Sequence, residues 1–184
     1  MKIATSNKKY TVEEYIQHEL KSEVRSEFIN GQLFEMPGEK DINNEIALRI
    51  AFLLMQLLKE KGYEIYAHDI KVKIFGEDKY YYPDVFITKE LKTVSNKYIK
   101  FEPSLIAEVV SETSQVNDYV DKYIAYTKIP SLQYYIIIEP ETTLITCYKR
   151  DENGEWITSK YTQLEDLIKL SALDISLQVK QVYI

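Results

Sequence analysis

Cysteine is nearly missing from this chain: Cys147 stands alone in 184 residues, which excludes an internal disulfide framework and suits a reducing compartment. It falls in an alternating run, so it reads as a packing residue rather than a nucleophile. Histidine is almost as scarce. His18 and His68 lie far apart and near no cysteine, which argues against a zinc site. No apolar run approaches the roughly 20 residues that a membrane helix needs, and residues 1–9 lack a signal-peptide apolar stretch. A cytoplasmic protein is expected. A basic excess is missing too: the formal charge of −6 and pI near 5.1 argue against a chain built to coat nucleic acid, while leaving room for an enzyme that binds it through a local patch. No repeat, low-complexity segment or linker divides the sequence.

What is present is ordinary globular composition, 45% apolar with sixteen tyrosines. A chain of this length hides roughly 70% of the surface its unfolded form exposes, and it is expected to form one domain over residues 1–184. Thr11 and Glu14 have the spacing of a capping box, predicting a short helix to about Leu20. Asn30-Gly31 between two apolar stretches predicts a β-hairpin. Ile42, Ile46, Ile50, Leu53, Leu54, Leu57 and Leu58 recur at three and four, the pattern of a long amphipathic helix from about Asp41 to Lys61, with Gly62 just past its end. Strands are expected at residues 63–66, 70–74, 81–88, 105–110 and 133–138. The alternation of the second predicts a wet, basic face. A helix from Asn117 or Asp118 to about Lys128 precedes Pro130, and a second hairpin turns at 151–154. The tail from Thr162 is ambiguous. Helix, strands, helix, strand is an α/β layer order with a mixed sheet.

Two carboxylates ask for an explanation. Glu108 interrupts the apolar run Leu105-Ile106-Ala107-Glu108-Val109-Val110, and Asp84 sits similarly in Tyr82-Pro83-Asp84-Val85-Phe86. A buried ionised carboxylate costs several kcal/mol or more without compensation, and paired strands would set these two against each other. A divalent cation between them resolves the conflict. The bland readings are a satisfied ion pair of Glu108 with Lys122, a strand-entry role for Asp84 after Pro83, a surface hairpin residue for Glu27 and a core residue for Tyr126. Lys71, Lys73, Lys79, Lys89, Lys92, Lys97 and Lys100 outnumber nearby acids and read either as a face for a phosphate backbone or as a solvated one.

Pro83-Asp84, then Glu108-Val109-Val110-Ser111, then Asp118, Lys122 and Tyr126 at intervals of four resemble the PD-(D/E)XK nuclease superfamily. With Glu27 before Gly31 and the helix from Asp41, the ordered set is similar to the Uma-type restriction-endonuclease family over roughly residues 10–150. The resemblance implies a restriction-endonuclease-like mixed β-sheet flanked by helices, with an added N-terminal β-hairpin. It also implies a metal-dependent endonuclease hydrolysing DNA, with a homodimer as the usual way for such folds to cut both strands. Mg²⁺ or Mn²⁺ would be held by Asp84 and Glu108, with the Val109 carbonyl as a third oxygen. Lys122 would orient or deprotonate the attacking water or stabilise developing charge, and Glu27 would bind metal through water or a second ion. Two positions depart from the pattern. Val110 stands where the superfamily usually has Lys, so the ammonium is expected from Lys122 on the following helix, whose face Asp118 and Tyr126 share. Asn43 stands where the family tends to have His. These departures keep open a second class, a catalytically silent nuclease-fold module acting in nucleic-acid or protein binding.

Overall fold

The computed structural model describes residues 8–36, 38, 40–90, 97–110 and 117–184. The reciprocal bonds of Thr11 and Glu14, 3.1 and 2.9 Å, start α1 (Val12–Glu19). The hairpin β1 (Ser26–Ile29) and β2 (Gln32–Glu35) turns at Asn30 and Gly31, whose φ angles of 51° and 89° are the positive pair such a turn requires. Helix α2 (Asp41–Leu58) leads to β3 (Glu64–Ala67), β4 (Lys71–Lys73), β5 (Lys79–Tyr81), β6 (Val85–Thr88), β7 (Ile99–Lys100) and β8 (Pro103–Val109). A π-helical turn, Asn117–Lys122, runs into α3 (Tyr123–Tyr126) and then β9 (Tyr134–Glu139), β10 (Leu144–Arg150) and β11 (Trp156–Tyr161). The ambiguous tail is a hairpin, β12 (Leu167–Leu170) and β13 (Ile175–Gln178), followed by α4 (Val179–Tyr183).

The strands form a five-stranded sheet ordered β2-β1-β5-β4-β7 and a six-stranded sheet ordered β11-β10-β9-β8-β6-β3, with β12 and β13 as a separate pair. The six-stranded sheet is antiparallel except where β8 runs parallel to β9. The N-terminal hairpin is built into the five-stranded sheet through β1 and β5. The run from Tyr81 to Thr88, expected as one strand, is two. Proline lacks an N–H for a ladder, and at Tyr82-Pro83-Asp84 the chain leaves one sheet and enters the other. Asp84 therefore stands at the crossing.

Alternation along the central strands divides the core. Val85, Ile87, Leu105, Ala107, Val109, Ile136 and Ile138 face α2, which contributes Ile46, Ile50, Ala51, Leu54 and Leu58, and the tail's Ile168, Leu177 and Val182 close that layer. Cys147 is buried there. Phe86, Ile106, Val110, Tyr135 and Ile137 face the other way, onto Tyr126, Ile129 and Leu132 and onto Val72, Ile74 and Tyr81 of the second sheet. The basic face expected on the 70–74 strand is absent: Lys71 is buried, 3.6 Å from Glu19. Lys100 is buried against the Tyr66 ring, Lys79 pairs with Glu77 at 2.6 Å and Lys73 lies over Tyr80, so these lysines form no common open face. Lys92 lies outside the described residues.

Candidate functional site

Val85 pairs with Ala107 and Phe86 with Ile106, so one step further along the register sets Asp84 opposite Glu108, on the face that carries Phe86 and Ile106. Asp84 is anchored there. Its Oδ2 accepts the Val109 N–H at 2.7 Å, and its carbonyl accepts the His68 N–H at 3.1 Å. The His68 ring lies beside it, Nδ1 3.9 Å from Oδ1. Burial, then the nearby Arg25, lowers the His68 pKa and favours a neutral ring.

Glu108 and the helical residues converge on one atom. Glu108 Oε1 accepts from Lys122 Nζ at 2.8 Å and from the Tyr126 hydroxyl at 3.0 Å. Lys122 Nζ also lies 3.0 Å from Asp118 Oδ1 and 4.0 Å from Glu27 Oε1, which reaches in from β1. The spacing by four brings Asp118, Lys122 and Tyr126 to one face even though the first of these turns is π-helical, and the Tyr135 hydroxyl holds that turn through the Asp118 carbonyl at 2.9 Å. Glu27 is buried rather than a surface residue of its hairpin, and Tyr126 is both core and polar partner. From the N-terminus of α2, Asn43 Nδ2 reaches the Val109 and Val110 carbonyls at 3.4 Å each, while its Oδ1 is buried without a hydrogen-bond partner.

The site is rich in negative charge. Glu27, Asp84, Glu108 and Asp118 are all buried in this region, and Lys122 is the ammonium that touches Glu108 and Asp118 directly. Burial pushes the Glu108 pKa up, and Asp84 and Asp118 push the same way, outweighing Lys122. Burial works to deprotonate Lys122, but Asp118 and Glu108 overcome it and hold the ammonium well above the ordinary lysine range. The flanking carboxylates favour the ammonium form of Lys122.

Hard carboxylate oxygens, an excess of buried acid over the ammonium that binds it, and a glutamate driven to keep its proton together fit a hard divalent cation in donor type and in charge. The unpartnered Asn43 oxygen is a further polar atom at the same end of β8. The side chains as placed close on Lys122. Among the described residues no three His, Cys, Asp or Glu side chains already surround one ion position.

Sequence reasoning set His68 aside and placed Asp118 in the motif without giving it a role, yet His68 sits against Asp84 and Asp118 holds the ammonium. His68 had no local signal: its place follows from a turn with φ of 56° between β3 and β4. Asp118 had one, its interval of four from Lys122.

Residues 12–180 match the Uma2 family, described as "Putative restriction endonuclease". Two proteins of Synechocystis sp. are similar along nearly their whole length: "Uncharacterized protein slr1290", 27% identical over 175 residues (95% of this chain, 92% of the relative), and "Uncharacterized protein sll1609", 30% identical over 162 residues (87% and 92%). Among solved structures, one described as a "putative nuclease belonging to DUF820" from Anabaena variabilis shares the fold, with a TM-score of 0.77 at 14% identity over 95% of this chain and 97% of that one.

Proposed function

This chain belongs to the Uma2 family, and on that premise we propose that it is a cytoplasmic, single-domain, divalent-metal-dependent endonuclease that hydrolyses DNA phosphodiester bonds at the Asp84–Glu108 cluster. The observation that carries the reading is the convergence of Glu108, Asp118 and Glu27 on Lys122 beside the anchored Asp84. Asp84 and Glu108 would hold Mg²⁺ or Mn²⁺, with the Val109 carbonyl as a third oxygen. When bound, such an ion supplies Lewis-acid stabilisation of charge on the phosphate oxygens and lowers the pKa of an adjacent water.

The chain's own residues do the rest. The Val109 N–H fixes one Asp84 oxygen and so aims the other. Tyr126 fixes the Glu108 oxygen that Lys122 also binds. Lys122 orients or deprotonates the attacking water, or stabilises negative charge growing on phosphorus. Glu27, 4.0 Å from the same nitrogen, adds to the field that keeps Lys122 charged and is placed to accept a water between them.

The test is cleavage of plasmid and oligonucleotide DNA in Mg²⁺ or Mn²⁺, comparing the unaltered chain with Asp84→Ala, Glu108→Ala and Lys122→Ala. Loss of about a hundredfold or more is expected in each. Cleavage that persists in all three ends the proposal. One observation favours the second class, a silent nuclease-fold binding module: among the described residues no three acidic or histidine side chains already surround an ion position, and Val110 stands at the usual lysine position. Calorimetry separates the two, because a silent module shows no divalent-ion binding that Asp84→Ala weakens.

A further inference from the structure

Helix α2 has a second apolar face. Its inner side is spent on the core, yet on the outer side Leu48, Phe52 and Met55 are 54%, 59% and 50% exposed. They stand at i, i+4 and i+7, so they form one continuous stripe over two turns. Single exposed hydrophobic residues are ordinary; a contiguous row of three bulky ones marks a contact surface.

Charge tells what would cover it. Glu45 continues the stripe toward the helix start, seven residues before Phe52, and Lys59 continues it past the helix end, seven residues after. Glu45 is paired with Arg49 of its own helix yet remains 61% exposed in its side chain. Laid against itself in parallel, the stripe would set glutamate on glutamate and lysine on lysine. Antiparallel, about a two-fold axis at Phe52, each Glu45 meets the Lys59 of a second copy, the apolar rows interlock around the two Phe52 rings, and the helix dipoles oppose.

We propose that the outer face of α2 is a homodimer interface, closed antiparallel on a second copy of this chain with Phe52 at its centre. A stable dimer hides roughly 800 Å² on each partner, an apolar middle inside a polar rim. Leu48, Phe52 and Met55 supply the middle, and Glu45, Arg49, Gln56 and Lys59 the rim. The inference goes beyond the catalytic reading and does not rest on it. It carries a geometric consequence for that reading all the same. Asn43, at the Val109 carbonyl, lies nine residues from Phe52, so at 1.5 Å per residue the pairing would hold the two copies of Asn43 on the order of 27 Å apart along the helix direction.

Sedimentation of the full chain over a range of concentrations tests the proposal, alongside Phe52→Glu, Glu45→Lys, Lys59→Glu and the last two combined in one chain. The unaltered protein should show a concentration-dependent dimer, and Phe52→Glu should weaken it by about 30-fold or more, the usual loss on removing a central aromatic anchor, with the circular dichroism spectrum unchanged. Each single charge reversal should weaken the dimer, and the combined chain should restore it, because reversal of both ends re-pairs them. A monomer at every concentration overturns the proposal and leaves the stripe to a different protein. A dimer that survives Phe52→Glu, or one that the double reversal fails to restore, overturns it equally. Asp84→Ala should leave the dimer untouched, so a failed interface and a failed nuclease are told apart.

Discussion

One oxygen isolates the role of Tyr126. Its hydroxyl and the Lys122 ammonium share Glu108 Oε1, while its ring packs edge-on against Tyr81 and Tyr135 at 5.6 and 5.2 Å. Tyr126→Phe keeps the packing and frees the carboxylate to turn, so Mn²⁺ affinity measured by calorimetry should fall by about 10–100-fold, the range for a lost partner of a metal-binding side chain. Unchanged affinity would show that Tyr126 does no more than fill space. Glu108 makes a prediction in pH. Burial raises its folded pKa above the ordinary 4.5, so in metal-free protein the folded chain keeps a proton that the unfolded chain releases. That contribution is fully present below 4.5 and drains away as pH rises through the raised folded value. Urea midpoints in the presence of a chelator should therefore decline over that window, and the decline should flatten in Glu108→Gln. Asn30-Gly31 and Glu108 were legible at this scale because each is a local oddity, a turn pair and a charge in an apolar run. His68 and Glu19 were not, since their roles come from residues far along the chain.

Among elements, α1 is tied to the site by one carboxylate. Glu19, its last residue, accepts from the Ser26 N–H at 3.1 Å and from the Tyr82 hydroxyl, and faces Lys71 Nζ at 3.6 Å, while the Tyr15 hydroxyl donates to the Ser26 carbonyl at 2.9 Å. Ser26 precedes Glu27, and Tyr82 stands two residues before Asp84. The brace thus grips the segments that deliver Glu27 and Asp84. Glu19→Ala leaves a buried ammonium with a lost counter-charge and should destabilise the chain by about 3–5 kcal/mol, whereas adding Lys71→Met should recover much of that. Chemical denaturation reads both, and a single-variant cost below about 1 kcal/mol would mean the pair is solvated after all. Helix α2 was readable from Ile46, Ile50 and Leu54 because burial repeats with its turn. The break at Pro83 was not: Tyr81 to Thr88 is apolar on both sides of Asp84, and a chain that changes sheets keeps both parts buried. Lys71 misled for the opposite reason, alternation promising water where a second element supplied Glu19.

For the whole molecule, ion binding should appear as stability. At a free Mn²⁺ concentration about 100 times its Kd, binding to the folded chain alone adds about 2.7 kcal/mol, which for a chain of this size raises Tm by about 5–10 °C. Thermal unfolding with and without Mn²⁺ measures it. The increment should vanish in Asp84→Ala, and an equal rise in that variant would place the ion elsewhere. The mixed-sheet architecture was legible from the order of helices and strands, while the two-sheet division and the tail hairpin against α2 depended on pairings between distant segments that no local pattern announces. One of those pairings sets an order of events. Because β8 and β9 run parallel, they are joined by a long crossover, and that crossover carries Asp118, Lys122 and Tyr126. Loop closure of that kind is slow. During refolding, then, helical signal from α2 should recover early, and the capacity to bind an ion should return only with the last kinetic phase, so a nascent chain would acquire its shape before its chemistry.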